Sequence, residues 1–272
     1  MKPLWLVGEH IDASPSPAMH NAALEVMGQP PVYALKPCGP GELNAVLDEA
    51  ERTCRGINLT APHKIAAAHR YESVLDDDAQ AAGAVNTVVY DDDGRPLRAL
   101  NTDVEGLLFS WRRSALHVEK RTVAVIGGGG AARAVAVAAA LAGASALVVH
   151  TRRNAQAQGL VAIAASVGLE AVAADEPCGA TLAVVAASAL EEPERWIARA
   201  LDGPGAVHEL RYGAQARAVR DAALAAGHVF ADGSLMLLAQ AQGALGAFLG
   251  TAVPELAAAA MRRALVDAVS AR

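Results

Sequence analysis

The sequence predicts an α/β fold in two domains: an N-terminal α/β domain with a mostly parallel sheet and a C-terminal, doubly wound α/β domain. Three observations carry this. Strand-like and helix-like runs alternate along almost the whole chain, the pattern of successive βαβ units. At 272 residues the chain exceeds the usual size of one domain. Residues 122–135 read TVAVIGGGGAARAV, an apolar β-type run, four glycines and an alanine-rich helical stretch.

Taken in order, LWLVG (4–8) is a strand and AMHNAALEVMG (18–28) a helix closed by a glycine. VYALKP (32–37) is extended, GELNAVLDEAER (41–52) helical, and GINLT (56–60) a strand. A helical segment near 63–70 precedes AVNTVVYDDDGRPLRALNTD, which reads as a β-hairpin turning at Asp92-Asp93-Gly94. A helix from Val104 to Leu116 leads into the second domain. There, strand 122–126 opens a β-α-β that ends in ALVVHT (146–151). Further strands are expected at 170–174, 181–187 and 206–210, and an alanine-rich helical tail from about Met236 to Ala271. The domain boundaries expected are 1–103, 104–235 and a tail 236–272 that returns toward the first domain.

Composition narrows the classes. Hydrophobic residues make up 53%, much of it alanine, and the net charge of −6 leaves no basic footprint for nucleic acid. Cys38, Cys54 and Cys178 are odd in number and in no C-x-x-C arrangement, which argues against a disulfide framework or a structural metal site. MKPLWLVGEH lacks a long apolar signal region and reads as a first strand. No segment approaches the ~18 uninterrupted apolar residues of a membrane span. A cytoplasmic protein is expected, with no membrane partner.

Gly127, Gly129 and Ala132 fit the G-x-G-x-x-A spacing of a dinucleotide-binding strand–turn–helix. The first glycine permits the turn, the second lets backbone approach a pyrophosphate, and the small third residue lets the helix pack on its strand. Gly127, Gly128, Gly129, Gly130, Ala131 and Ala132 thus form the expected phosphate cradle, at a helix N-terminus with free N–H groups. An NAD site usually carries an acid about 20 residues further on. Here the second strand runs into Thr151, Arg152 and Arg153, where guanidiniums suit a 2′-phosphate. NADP is favoured, with NAD as the alternative; a pair of solvated surface arginines is the plain reading.

Chemistry must come largely from the first domain. Ser14 and Ser16 precede its first helix; Ser16 reads as an N-cap and Pro17 as N1, and two hydroxyls there suit a carboxylate. Taken alone, simple capping is the favoured reading. Lys64, in NLTAPHK, is an ordinary surface lysine if isolated, and Asp103 or Thr102 read alone is a cap of VEGLLFSW. Together, Lys64 and Asp103 at the ends of different strands form a candidate acid/base pair. Thr60 and Asn86 can line the same crevice, at the carboxyl ends of the strands.

GEHIDASPSPAMHN, NLTAPHK, GAVNT, NTDVEG, IGGGGAARA and MLLAQA occur in this order from Leu4 to the C-terminal helices. The set resembles the shikimate dehydrogenase family, which includes quinate/shikimate dehydrogenases and further paralogues. The resemblance implies a substrate domain followed by a Rossmann-type NADP-binding domain, and reversible NADP-linked reduction of 3-dehydroshikimate to shikimate in the aromatic amino acid (chorismate) route. It implies Lys64 and Asp103 as the catalytic pair and Ser14 and Ser16 on the ring carboxylate. Thr60, Asn86 and Gln240 would bind ring hydroxyls or the carboxylate, with Tyr212 also on the substrate side. Arg152, with Thr151 beside it, would meet the adenosine phosphate, and Gly233 would lie along the cofactor. A small cyclic hydroxy acid is the partner implied, to a monomer or homodimer.

Departures from the family cluster on the nicotinamide side. Its N-A-T-S-x-G-M stretch stands here as Val185-Ala186-Ala187-Ser188-Ala189-Leu190, and its Asp-x-x-Tyr as Glu209-Leu210-Arg211-Tyr212. The second arginine of N-R-T-x-x-R falls at Gln156, and Leu235 takes a common glycine position. Two enzyme readings follow, a working NADP enzyme or a quinate- or aminoshikimate-type paralogue that uses NAD. The reading from another class is a non-catalytic metabolite sensor.

Overall fold

The structure, a computed structural model, describes residues 1–174 and 179–270; Cys178 and Ala271 lie outside the described residues. The chain forms two compact units, Met1–Thr102 with Leu238–Arg272, and Asp103–Leu237.

In the first unit the chain runs β1 (Leu4–Gly8), α1 (Ser16–Val26), β2 (Tyr33–Pro37), α2 (Leu43–Thr53), β3 (Gly56–Leu59), α3 (Lys64–Arg70), α4 (Asp77–Ala82), β4 (Thr87–Tyr90) and β5 (Pro96–Leu100). The strands order as β2-β1-β3-β4-β5. The first three are parallel, and β4 is antiparallel to both β3 and β5, so only β4 runs against the rest. All four residues of β3 and of β4 are buried, as expected for strands covered on both faces. In α2 the buried residues Leu43, Val46, Leu47 and Ala50 recur at helical spacing and face this sheet's core. The hairpin expected at Asp92-Asp93-Gly94 is present, closed by Asp91 and Arg95.

Register fixes where the loops go. Val7 pairs with Leu59, Asn58 with Thr87, and Thr87 with Leu100. The segments after β1, β3 and β5, and Asn86 ahead of β4, therefore emerge at one end of the sheet.

The second unit contains α5 (Thr102–Arg113), β6 (Thr122–Ile126), α6 (Gly130–Leu141), β7 (Ala146–His150), α7 (Asn154–Ser166), β8 (Ala171–Ala173), β9 (Ala180–Val185), α8 (Pro193–Ala200), β10 (Leu201–Glu209), α9 (Arg217–Ala225) and β11 (Val229–Asp232). Its six strands are all parallel in the order β11-β10-β9-β6-β7-β8. That is the doubly wound order, and it reverses between β6 and β9. Seven residues of α6 are buried, Ala132 completely, so the small side chains let this helix lie close on the sheet.

The helical tail is present as two helices, α10 (Ser234–Leu249) and α11 (Glu255–Ser270), separated at Gly250 and Pro254; α11 packs along α1. Two expectations need correction. The strand expected from 206 begins at Leu201, with a register shift before Ala206. Ser16 is already the first helical residue of α1, so Pro17 is second and Ser16 is no N-cap.

Candidate functional site

At the sheet end of the first unit, Ser14 Oγ accepts the backbone N–H of Ser16 at 3.2 Å and donates to Ser16 Oγ at 3.1 Å. Ser14 thus satisfies the N–H of the first helical residue, Pro15 being the N-cap, and the two hydroxyls stand side by side at the start of α1. Thr60 follows β3, donates its N–H to Val7 O, and accepts that of His63. The ring of His63 is buried and its Nε2 lies 2.8 Å from Cys38 O. This contact pins the start of α3, whose first residue is Lys64; Lys64 O in turn accepts Val85 N. Thr60, Lys64 and the Val85–Asn86 segment are thereby held together by backbone bonds.

Asn86 is 2% exposed and ties together the next two segments. Its Oδ1 accepts Thr102 N at 2.9 Å and Thr87 Oγ1 at 3.0 Å. Its Nδ2 donates to Thr102 Oγ1 at 2.9 Å and to Gln240 Oε1 at 3.4 Å. The network continues inward: Asn58 Nδ2 donates to Thr87 Oγ1, and Tyr33 Oη donates to Asn58 Oδ1 at 2.7 Å. His20 stacks flat on Tyr33, and burial pushes its imidazole down to about 3. Sequence reasoning missed the parts played by Tyr33, Asn58 and His20. A polar residue in the middle of the buried run GINL was the available signal for Asn58.

Ser14, Ser16, Thr60, Lys64, Asn86 and Gln240 belong to the first unit and Asp103 to the second, where it is 4% exposed. Because α5 begins at Thr102, Asp103 lies within the first turn and does not precede the helix as a cap.

In the second unit Gly127 has φ +128°, and a Cβ there would meet the carbonyl of Ala186 after β9 at 2.7 Å. Only glycine fits both conditions. A Cβ on Gly128 would meet Gln156 at 2.7 Å, so the third residue of α7 seals one side of the loop. Gly129, extended and N-capping α6, has nothing within 4 Å of its Cβ position. That open face, followed by the N–H groups of Gly130, Ala131 and Ala132, fits a pyrophosphate. Thr151 is occupied differently: its Oγ1 donates to Arg153 O at 2.7 Å and accepts Arg153 N at 3.2 Å. This folds the turn ahead of α7 and leaves Arg152 and Arg153 exposed at its start.

At the far half of this sheet, Glu209 ends β10 and pairs with Arg211, Nη2 to Oε2 at 2.6 Å. Tyr212 follows, partly exposed. Gly233 packs so closely on the Leu210 carbonyl that a Cβ would overlap it, and its N–H bonds Arg211 O at 3.0 Å. His208, fully buried, accepts Trp111 Nε1 at 3.1 Å, and burial pushes it down to about 4. Among the described residues no helix is long and apolar enough to cross a membrane.

A family described as the shikimate dehydrogenase substrate binding domain matches residues 6–88. A shikimate dehydrogenase (NADP(+)) of Methanothrix thermoacetophila is 33% identical over 274 residues, 97% of this chain and 98% of its own length. For relatives of the same name from Moorella thermoacetica and Rubrobacter xylanophilus, the chain spans about half their length, 56% and 54%, at 34% and 36% identity. A Thermus thermophilus shikimate 5-dehydrogenase, solved with NADP(H) and shikimate, superposes with a TM-score of 0.81 at 30% identity, covering 98% of this chain and 100% of that one.

Proposed function

We propose, from the premise that the chain belongs to the shikimate dehydrogenase family, that it interconverts 3-dehydroshikimate and shikimate with NADP(H). One observation carries the reading: strand register gathers Ser14, Ser16, Thr60, Lys64 and Asn86 at one end of the first sheet.

The paired hydroxyls of Ser14 and Ser16 hold the ring carboxylate beside the start of α1. Thr60, Asn86 and Gln240 bind the ring hydroxyls or the carboxylate, with Tyr212 as a further substrate contact. The chemistry that NADP(H) supplies when bound is hydride exchange at one ring carbon. Lys64 gives its proton to the oxygen of that carbon during reduction and recovers it during oxidation. Asp103 is the second member of the acid/base pair. The Gly127–Gly130 loop with Ala131 and Ala132 takes the pyrophosphate. Arg152 and Arg153, with Thr151 shaping the turn beside them, take the adenosine 2′-phosphate, with Gly233 on the cofactor side.

Buried free thiols at Cys38 and Cys54 support a reducing, cytoplasmic setting. The exposed large apolar side chains Leu97, Leu141, Leu224 and Leu256 stand on separate elements, which supports a monomer or a small homodimer.

The test is reduction of NADP⁺ and NAD⁺ with shikimate and with quinate, for the intact protein and for Lys64→Ala. Shikimate with NADP⁺ is the expected pair, and Lys64→Ala loses at least about a hundredfold in kcat. Preference for quinate or NAD⁺ would reassign the substrate or cofactor. Tight NADP⁺ binding without turnover would make the protein a sensor.

A further inference from the structure

Glu209 is completely buried at the end of β10, where a lone carboxylate would be poorly tolerated. Arg211 answers it from two residues away. Its Nη2 donates to Oε2 at 2.6 Å, while its Nε and its backbone N–H donate to Oε1 at 3.0 and 2.9 Å. Three donors of one residue therefore close on one carboxylate, and the guanidinium remains 21% exposed.

The closed ring continues through the backbone into both neighbouring strands. Leu210 N bonds Val185 O at the end of β9, and Arg211 O accepts Gly233 N just after β11. Gly233 O then accepts Leu237 N in the first turn of α10. The pair thus clamps the carboxyl ends of β9, β10 and β11 together. In a doubly wound sheet each half binds one mononucleotide. The glycine loop and the arginines after β7 serve the half made of β6, β7 and β8. The clamped ends belong to the other half, which takes the nicotinamide.

We infer that Glu209 and Arg211 form a positioning pair for the nicotinamide half of the cofactor. It acts by fixing the 209–213 and 233 backbone, and it rests on the NADP(H) reading above. Exchanging both members of a buried ion pair for apolar residues of similar size commonly leaves stability unchanged, whereas removing one does not. The double variant Glu209→Met/Arg211→Met therefore separates positioning from folding. A second variant, Arg211→Lys, keeps the charge and loses the fork.

Binding of NADPH and of 2′,5′-ADP, which lacks the nicotinamide half, is measured by calorimetry alongside thermal unfolding. The expected result for both variants is NADPH binding weaker by about tenfold or more, with 2′,5′-ADP within about twofold of the intact protein. Equal weakening of both ligands, or no weakening of NADPH, overturns the inference alone. If the double variant fails to fold, Arg211→Lys decides by the same ratio. An intact protein that binds neither ligand overturns the functional reading and this inference with it.

Discussion

The side-chain oxygen of Asn86 accepts the backbone N–H of Thr102 at 2.9 Å, which joins the start of β4 to the start of α5. The same carboxamide also serves Thr87 and Gln240. Asn86→Ala would leave the Thr102 N–H and two threonine hydroxyls short of partners in a buried place. Each such loss costs about 1–3 kcal/mol, so the variant should be destabilised by about 2–4 kcal/mol in urea unfolding. The assignment of Asn86 to substrate binding therefore needs its stability measured beside its KM. A loss below about 0.5 kcal/mol would mean that the network carries no structural weight.

His20 and His208 make stability depend on pH. Both are neutral when folded, at about 3 and about 4, while an unfolded histidine titrates near 6.5. Between those values the unfolded chain binds more protons, so stability is complete above about 6.5 and falls as pH drops. Within that window each histidine removes about 1.4 kcal/mol per pH unit. His20 Nδ1 is buried with no hydrogen-bond partner among the described residues, and its ring lies 4.0 Å from that of Tyr33 at 4°. His20→Phe keeps the stack and removes the titration. It should hold stability at pH 7.5 and lessen its decline toward pH 5. An unchanged decline in urea unfolding would clear His20 of the effect.

Gly127 and Gly129 should respond oppositely to alanine. At Gly127 the positive φ and the Ala186 carbonyl both oppose a Cβ, so Gly127→Ala lowers the melting temperature. At Gly129 the backbone is extended and the space is open, so Gly129→Ala folds as the intact protein does. Its methyl then occupies the face proposed for pyrophosphate, and NADPH binding should weaken by about tenfold or more. Full NADPH affinity in a well-folded Gly129→Ala would place the phosphates elsewhere.

The parallel strands were legible because burial on both faces leaves unbroken apolar runs, as in Thr122–Ile126 and Ala146–His150. β11 was not: Val229–Asp232 is a short edge strand whose first residue is 61% exposed, so no pattern marks it. The six-residue α4 is likewise too short for a periodic signal, and only its ends mark it: Asp76, whose side chain caps it, and Gly83, which closes it in the left-handed conformation. At the site, motif spacing pointed to Ser14, Lys64 and Asn86, but the hydrogen bonds from Tyr33 to Asn58 and from Asn58 to Thr87 join residues 25 and 29 apart in sequence. Only the fold brings those together. The Glu209–Arg211 pair did have a signal, an acid and a base two residues apart at the end of an apolar strand, close enough to pair across a bend.

The last prediction concerns the turn after β7. Thr151 spends its hydroxyl on Arg153, so discrimination between the phosphorylated cofactor and NAD falls to the two exposed guanidiniums. A charge-assisted hydrogen bond to phosphate is worth about 1.5–3 kcal/mol, or roughly 10–150-fold in affinity. Arg152→Ala should lose about that much affinity for 2′,5′-ADP and almost none for 5′-AMP, which lacks the 2′-phosphate. Arg153→Ala should lose less, because its backbone still carries the threonine turn that starts α7. Thr151→Val, which breaks that turn without touching a charge, should weaken both nucleotides together. If Arg152→Ala leaves the ratio of the two affinities unchanged in calorimetry, both arginines are solvated surface residues and the preference for NADP has another source.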